Sequence, residues 1–298
     1  MQAEFIAIIC GLAAGFGWGF SGYFDARASK AIGPLSASFL INGLVAAGYA
    51  AVYLLLFRHH YTWDALGVIY AIGSGMVITI GALTYFKGLA IGPVSLVSPL
   101  SASYPLITTL VALGIFHARP SAVQLLAILL IMVGVMGATG LIGARDVRHR
   151  AIQRGPVLGL STAVAWGLGY ALAAQAIQRL GWQFASLIEF SAMALAFGIF
   201  IPLAMPNHGL TPKVLAQGIR NKFVLLSGSI SLFAALALNV GLSREHSSGA
   251  IVATLSACYP VLTVILARRS FNEEVGLIPT IGAFVSISGV LLLSASVQ

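Results

Sequence analysis

Apolar stretches of about twenty residues follow one another along the whole chain, near 5 to 24, 34 to 57, 65 to 86, 94 to 115, 121 to 143, 156 to 178, 183 to 204, 221 to 243, 248 to 267 and 275 to 296. A helix needs about 20 mostly apolar residues, at 1.5 Å each, to cross the hydrocarbon of a bilayer. Each stretch is therefore long enough for one crossing, and 298 residues leave no room for a separate soluble domain. Lipid offers the backbone no hydrogen-bond partner, so such segments are helices or barrel strands. Their length and unbroken hydrophobicity exclude strands. The sequence predicts an all-α membrane protein of about ten transmembrane helices. No basic residue precedes the first stretch and no small-x-small cleavage pattern follows it, so it reads as a span and not as a removable signal peptide.

Charge agrees with this reading. Asp, Glu, Lys and Arg make up 8% of the chain, against roughly 25% in a soluble domain. The net charge of +8 does not indicate nucleic acid, because the basic residues are spread between apolar stretches and form no single patch. Cys10 and Cys258 both lie inside apolar segments, with no CxxC spacing and no Cys/His cluster, so neither a disulfide framework, a metal site nor a cofactor is expected.

The chain repeats itself. Leu100-Ser101-Ala102-Ser103-Tyr104-Pro105-Leu106-Ile107-Thr108 returns as Leu255-Ser256-Ala257-Cys258-Tyr259-Pro260-Val261-Leu262-Thr263, identical at six of nine positions with an offset of 155. The same offset carries Gly134 onto Gly289, and offsets of 148 and 147 carry Trp18-Gly19 and Gly22-Tyr23 onto Trp166-Gly167 and Gly169-Tyr170. This predicts two five-helix repeats, over 1–148 and 149–298. An odd number of spans per repeat inverts the second relative to the first. Solute sites in inverted-repeat folds lie near the bilayer midplane, where the halves meet.

Length, duplication, the small-residue segments before Pro105 and Pro260 and the closing Val-Gly-Val and Ser-Gly-Val runs resemble the drug/metabolite transporter superfamily, in particular ten-span members with two EamA repeats. The resemblance covers essentially the whole chain. It implies a secondary transporter in the cell inner (plasma) membrane, multi-pass, whose partners are a small-molecule solute, the lipid bilayer and, in a coupled cycle, protons. Export of an amino acid or similar metabolite is the first expectation. Uptake of a sugar, a choline-like cation or a nucleotide derivative is the alternative. One departure stands out: the repeat usually carries a Glu between its last two spans, as at Glu273 and Glu274, whereas the first half has His117-Ala118-Arg119.

Lys and Arg are unevenly divided between alternate loops. Arg27, Lys30, Lys87, Arg145, Arg148, Arg150, Arg154, Lys213, Arg220, Lys222, Arg268 and Arg269 fall on one side, and Arg58, Arg119, Arg179 and Arg244 on the other. The positive-inside rule puts the first set in the cytoplasm and both termini outside. Ten-span relatives are usually drawn with termini inside.

Glu189 is the sharpest candidate for coupling. It lies inside the seventh span, where burying a carboxylate costs at least about 2.5 kcal/mol, so it is expected to face the bundle interior or a wet cavity. There it either takes up and releases a proton during transport or stays protonated and hydrogen-bonds a neighbouring helix. Asn42 holds the matching place in the second span and reads as an interhelical hydrogen-bonding residue or a substrate contact.

Trp18 and Trp166 recur on the first spans of the halves, and Tyr104 and Tyr259 on the fourth. With Tyr85, near the end of the third span, they are the candidate solute-binding aromatics, suited to stacking and cation–π contact. Headgroup-depth belts are the competing explanation, and Tyr23 and Tyr170 fit that one better. Pro105 and Pro260 fall inside their spans, where each removes a backbone donor and frees a carbonyl one turn earlier, giving either a hinge or a static kink satisfied by Ser101 or Ser256. Gly15 to Gly19, Gly73-Ser74-Gly75 and Ser227-Gly228-Ser229 read as tight helix packing. Lys87 reads as a snorkelling side chain at a span end.

Other function classes lack their residues. Gly19-Phe20-Ser21-Gly22 resembles an intramembrane serine protease signature, but the six histidines lie in or beside predicted loops, leaving no base for the serine. Asp25, Asp64 and Asp146 fall at span ends or in a loop, and no GxGD occurs, so an aspartyl protease is not expected. Charge rings, filter loops and GxxxxGK[ST] are also missing, so neither a channel nor an ATP-driven pump is indicated.

Overall fold

The computed structural model describes residues 2–59, 61–116, 121–138, 150–204, 211–242, 255–256, 259–272 and 276–296. The described elements are helical: α1 (Gln2–Ile32), α2 (Pro34–Val52, closing in a π-helical turn at Tyr53–Phe57), α3 (Ala65–Ile91), α4 (Val94–Ser101), α5 (Tyr104–Phe116) and α6 (Ala122–Ala138) in the first half. The second half holds α7 (Arg150–Leu180), α8 (Trp182–Ala204), α9 (Pro212–Ile219), α10 (Lys222–Leu242), α11 (Tyr259–Phe271) and α12 (Leu277–Ser296). Pro34–Phe57, Ala65–Ile91, Arg154–Leu180, Trp182–Ile199 and Lys222–Gly241 are long and apolar enough to cross a membrane, and Ala122–Gly134 and Thr280–Leu292 are shorter apolar helices. The chain is an all-α membrane protein built from two repeats. Many large apolar side chains face outward, among them Phe16, Ile69, Leu129, Leu195, Phe233 and Ile281, as a lipid-facing surface requires.

Local signals set the boundaries. Gly33, at φ 85°, stops α1, and Pro34 opens α2 at a position where its missing N–H costs nothing. Asp64 caps α3 by accepting from Gly67 N at 2.6 Å, and lies 3.5 Å from Arg179 in an ion pair too exposed to contribute more than about 1 kcal/mol. Thr211 caps α9, a short helix between the seventh and eighth spans that the hydropathy pattern does not reveal.

Two expectations change. The first span runs to Ile32, well past residue 24, and carries Asp25 inside the helix. The fourth span is two helices, and its break falls before Pro105. The helix is interrupted by a turn at Ala102-Ser103, where Ala102 N still donates to Ser98 O and Ser103 N to Leu100 O. Pro105 is then the second residue of α5 and removes no donor from mid-helix; Pro260 is the second residue of α11, and residues 257–258 before it lie outside the described residues. Every residue of α4 is buried.

Packing exchanges elements between the halves. The third span of each half lies along the first span of the other, α3 on α7 and α10 on α1. The second halves of the fourth and ninth spans repeat the exchange, α5 on α7 and α11 on α1. The last spans, α6 and α12, pack on each other, and Gly134 and Gly289 allow it: a Cβ on Gly134 would stand 2.6 Å from Ser286 Cα, and one on Gly289 2.7 Å from Ile131 N. The repeat junction at 148/149, Cys258, Asp146, His117, Arg119, Glu273 and Glu274 lie outside the described residues.

Candidate functional site

The first spans of the two halves meet the fourth and ninth spans by the same contacts. At Gly19 of α1, a Cβ would stand 3.0 Å from the Tyr259 carbonyl, and the Gly19 carbonyl accepts from Thr263 Oγ1 at 3.0 Å. At Gly167 of α7, a Cβ would stand 2.7 Å from the Tyr104 carbonyl, and the Gly167 carbonyl accepts from Thr108 Oγ1 at 3.0 Å. Glycine is required at both positions because only a helix without a side chain there lets the backbones approach this closely.

That approach sets the aromatic rings. Trp18 meets Tyr259 edge-on with ring centroids 6.4 Å apart at 75°, and Trp166 meets Tyr104 edge-on at 6.4 Å and 78°. Tyr85 of α3 joins the second pair, 5.1 Å from Trp166, and its hydroxyl points at Gly22 of α1, where a Cβ would stand 3.1 Å away. Gly81, one turn before Tyr85, leaves the space the Trp166 indole fills: a Cβ there would lie 2.6 Å from Nε1. Tyr170, expected in a headgroup belt, is 37% exposed, and its ring lies 4.8 Å from Tyr104 at the edge of the same cluster. Tyr23 does not join it, and instead accepts from Arg27 Nε at 3.0 Å beside Phe24 and Phe271.

Within this cluster Trp166 Nε1 is buried and has no hydrogen-bond partner among the described residues. A buried donor left unpaired costs about 1 to 3 kcal/mol, so its neighbourhood favours a polar group brought from outside.

Glu189 sits on α8 beside α3, where its carboxyl accepts from Ser74 Oγ at 3.0 Å. Gly75 allows the approach, since a Cβ there would stand 2.9 Å from Ala192 Cβ. Tyr49 and Tyr170 lie within electrostatic reach of the Glu189 carboxyl. The acid thus lies between the halves, with one hydroxyl holding it and the aromatic cluster adjoining through Tyr170. Asn42 does not reach across: its Nδ2 donates to Ser38 O at 2.8 Å, one turn back in α2.

Asp25 is the residue that hydropathy placed wrongly. It is buried in α1, accepts a hydrogen bond from Ser227 of α10, and has Tyr85 within electrostatic reach. The core therefore holds two carboxyl–hydroxyl pairs, each running from the third span of one half to the other half. Arg27 and Lys30 were the available signal, because a span ending in two snorkelling cations extends past the aspartate before them.

The profile of the EamA-like transporter family matches residues 5–140 and 153–295, one match per repeat. An uncharacterized transporter of Archaeoglobus fulgidus is 25% identical over 97% of this chain and 98% of its own length. An uncharacterized transporter of Synechocystis sp. is 26% identical over 75% of this chain and 66% of its own. A solved crystal structure shares the fold with a TM-score of 0.60 at 16% identity, over 96% of this chain and 95% of that one.

Proposed function

The chain belongs to the EamA-like transporter family, and from that premise we propose that it carries a small metabolite, an amino acid or a similar solute, outward across the cytoplasmic membrane by alternating access. The moving parts are two inverted five-helix halves, 1–148 and 149–298. The solute binds between them, among Trp18, Tyr85, Tyr104, Trp166 and Tyr259, with Tyr170 added and Asn42 at the periphery. Glu189 exchanges a proton during the cycle.

One observation carries this reading: the Trp18–Tyr259 and Trp166–Tyr104 contacts repeat with the halves exchanged, and the buried Trp166 Nε1 among them has no partner among the described residues. A site built symmetrically from both halves is reachable from either side as the halves rock. An amphipathic solute supplies what the cluster lacks, an acceptor for the Trp166 indole N–H and a flat or cationic surface for the rings. Glu189 and its Ser74 partner bridge the halves, so a change in its protonation alters the same interface that rocking must open.

The test is flux in proteoliposomes under an imposed pH gradient, with solutes from a panel of amino acids, cations, sugars and nucleosides. The reading predicts gradient-driven movement of one class, with the gradient dependence lost in Glu189→Gln. Movement that ignores the pH gradient in the wild type contradicts the coupling role.

A further inference from the structure

At one end of the bundle, cations of α1 and α10 lie over aromatic rings of α1, α10 and α11. Arg27 of α1 lies 5.4 Å from the Tyr23 ring and 5.0 Å from the Phe271 ring, and Lys30 Nζ stands 3.7 Å from the Phe271 centroid. Lys222, at the start of α10, lies 5.3 Å from the Phe223 ring. Arg268 and Arg269 occupy the last turn of α11 at this same end. All belong to the basic set of loops.

Beside this end, a cleft opens between α4, α11 and α12. Its walls are apolar, with Val261, Val264, Phe284 and Ile287 prominent, and its polar groups are those of Ser95, Arg268 and Thr280. Arg268 reaches into it: its Nη2 donates to Thr280 Oγ1 at 2.5 Å, while its Nε is buried and has no hydrogen-bond partner among the described residues. A guanidinium with one edge fixed and another donor unused presents a site for an anionic oxygen. The outer surface leading away from it along α12 is lipid-facing, with Leu277, Ile278, Ile281 and Phe284 exposed.

We propose that this cleft binds the phosphate of an anionic phospholipid, a phosphodiester oxygen accepting from Arg268 Nε–H while an acyl chain lies along Ile281 and Phe284. Basic pockets between spans on the positively charged side of a membrane protein suit such headgroups. Arg269, the next residue, is exposed in the same last turn and adds positive charge to this end of α11. The apolar walls distinguish the occupant from a soluble anion, because free phosphate gains nothing from them. The site is separate from the aromatic cluster, and lipid binding is read without any transport assay.

The experiment is native mass spectrometry of the purified full chain exchanged into phosphatidylglycerol, into phosphatidylcholine, or into phosphatidylcholine with inorganic phosphate, for the wild type, Arg268→Gln and Arg269→Gln. The proposal expects phosphatidylglycerol retained selectively by the wild type. Arg268→Gln should weaken that retention about tenfold or more, the factor carried by a hydrogen bond to a charged group, and Arg269→Gln should weaken it less. A circular dichroism melt of each variant checks folding, and Thr280→Val, which frees the guanidinium without removing it, should leave phosphatidylglycerol preferred. Equal retention of the two lipids, unchanged retention in Arg268→Gln, or displacement of the lipid by inorganic phosphate would each overturn the proposal.

Discussion

The Ser74 hydroxyl donates to the Glu189 carboxyl at 3.0 Å, joining α3 of the first half to α8 of the second. Gln at 189 keeps an acceptor for Ser74 but cannot exchange a proton, whereas Ala strands the hydroxyl. Glu189→Gln is therefore expected to unfold close to the wild-type temperature and to lose pH-driven flux, while Glu189→Ala is destabilised by about 1 to 3 kcal/mol. Thermal unfolding in detergent, paired with proteoliposome flux, separates the two effects.

Asp25 and Ser227 tie α1 to α10 in the same manner. Asp25→Asn retains an acceptor and should fold nearly as well as the wild type. Asp25→Leu leaves the Ser227 hydroxyl unpaired and should cost about 1 to 3 kcal/mol, and adding Ser227→Ala to it should restore part of the loss. A double-mutant cycle by denaturant titration gives the answer, and strict additivity of the two changes would show that the bond contributes nothing.

Thr108 and Thr263 donate to Gly167 O and Gly19 O at the same distance, 3.0 Å. Each also bonds the carbonyl four residues back in its own helix. Thr108→Val and Thr263→Val should lower stability by similar amounts, about 0.6 kcal/mol each, the average for a hydrogen bond between membrane helices. Unequal losses, one several times the other, would argue that the two halves do not share this contact in solution.

A Cβ at Gly81 would press into the Trp166 indole, whereas one at Gly43 meets nothing within 4 Å. Gly81→Ala should displace Trp166, costing about 1 to 3 kcal/mol by overpacking and shifting the indole fluorescence. Gly43→Ala should be neutral or stabilising by up to about 1 kcal/mol, since alanine loses less backbone freedom in a helix. Tryptophan emission spectra and melting curves of the two variants provide the comparison.

Much of the fold was legible because lipid restricts backbone choices: apolar length alone marks the helices, and the repeated Leu-Ser-Ala motif marks the halves. The pairing of Trp18 with Tyr259 and of Trp166 with Tyr104 was partly legible. Duplication brought the residues to notice, but only the packing of α1 on α11 and α7 on α5 puts them together. Asp25 was hidden because a hydropathy window ends a span at the first charge, while a helix with a hydroxyl across from that charge continues through it. Pro105 misled for a related reason. Proline in mid-segment reads as a kink, and here the chain breaks at Ala102-Ser103 and uses the proline to start the next helix. The short α9 escaped because eight amphipathic residues between spans lack the length that marks a crossing. Asn42 was singled out by its place in the repeat, which says nothing about the direction of a side chain that bonds within its own helix.

The central claim is that the exchanged aromatic contacts form the solute site, and the most direct measurement is the unfolding temperature of the purified protein against the solute panel. Wild type, Trp18→Phe and Trp166→Phe should be compared at each solute. A ligand at 100 times its Kd adds about 2.7 kcal/mol to the folded state, enough to move the midpoint visibly. The account predicts that one solute class stabilises the wild type and that both substitutions, one from each half, reduce the shift. A shift that survives unchanged in both variants places the solute elsewhere and contradicts the account.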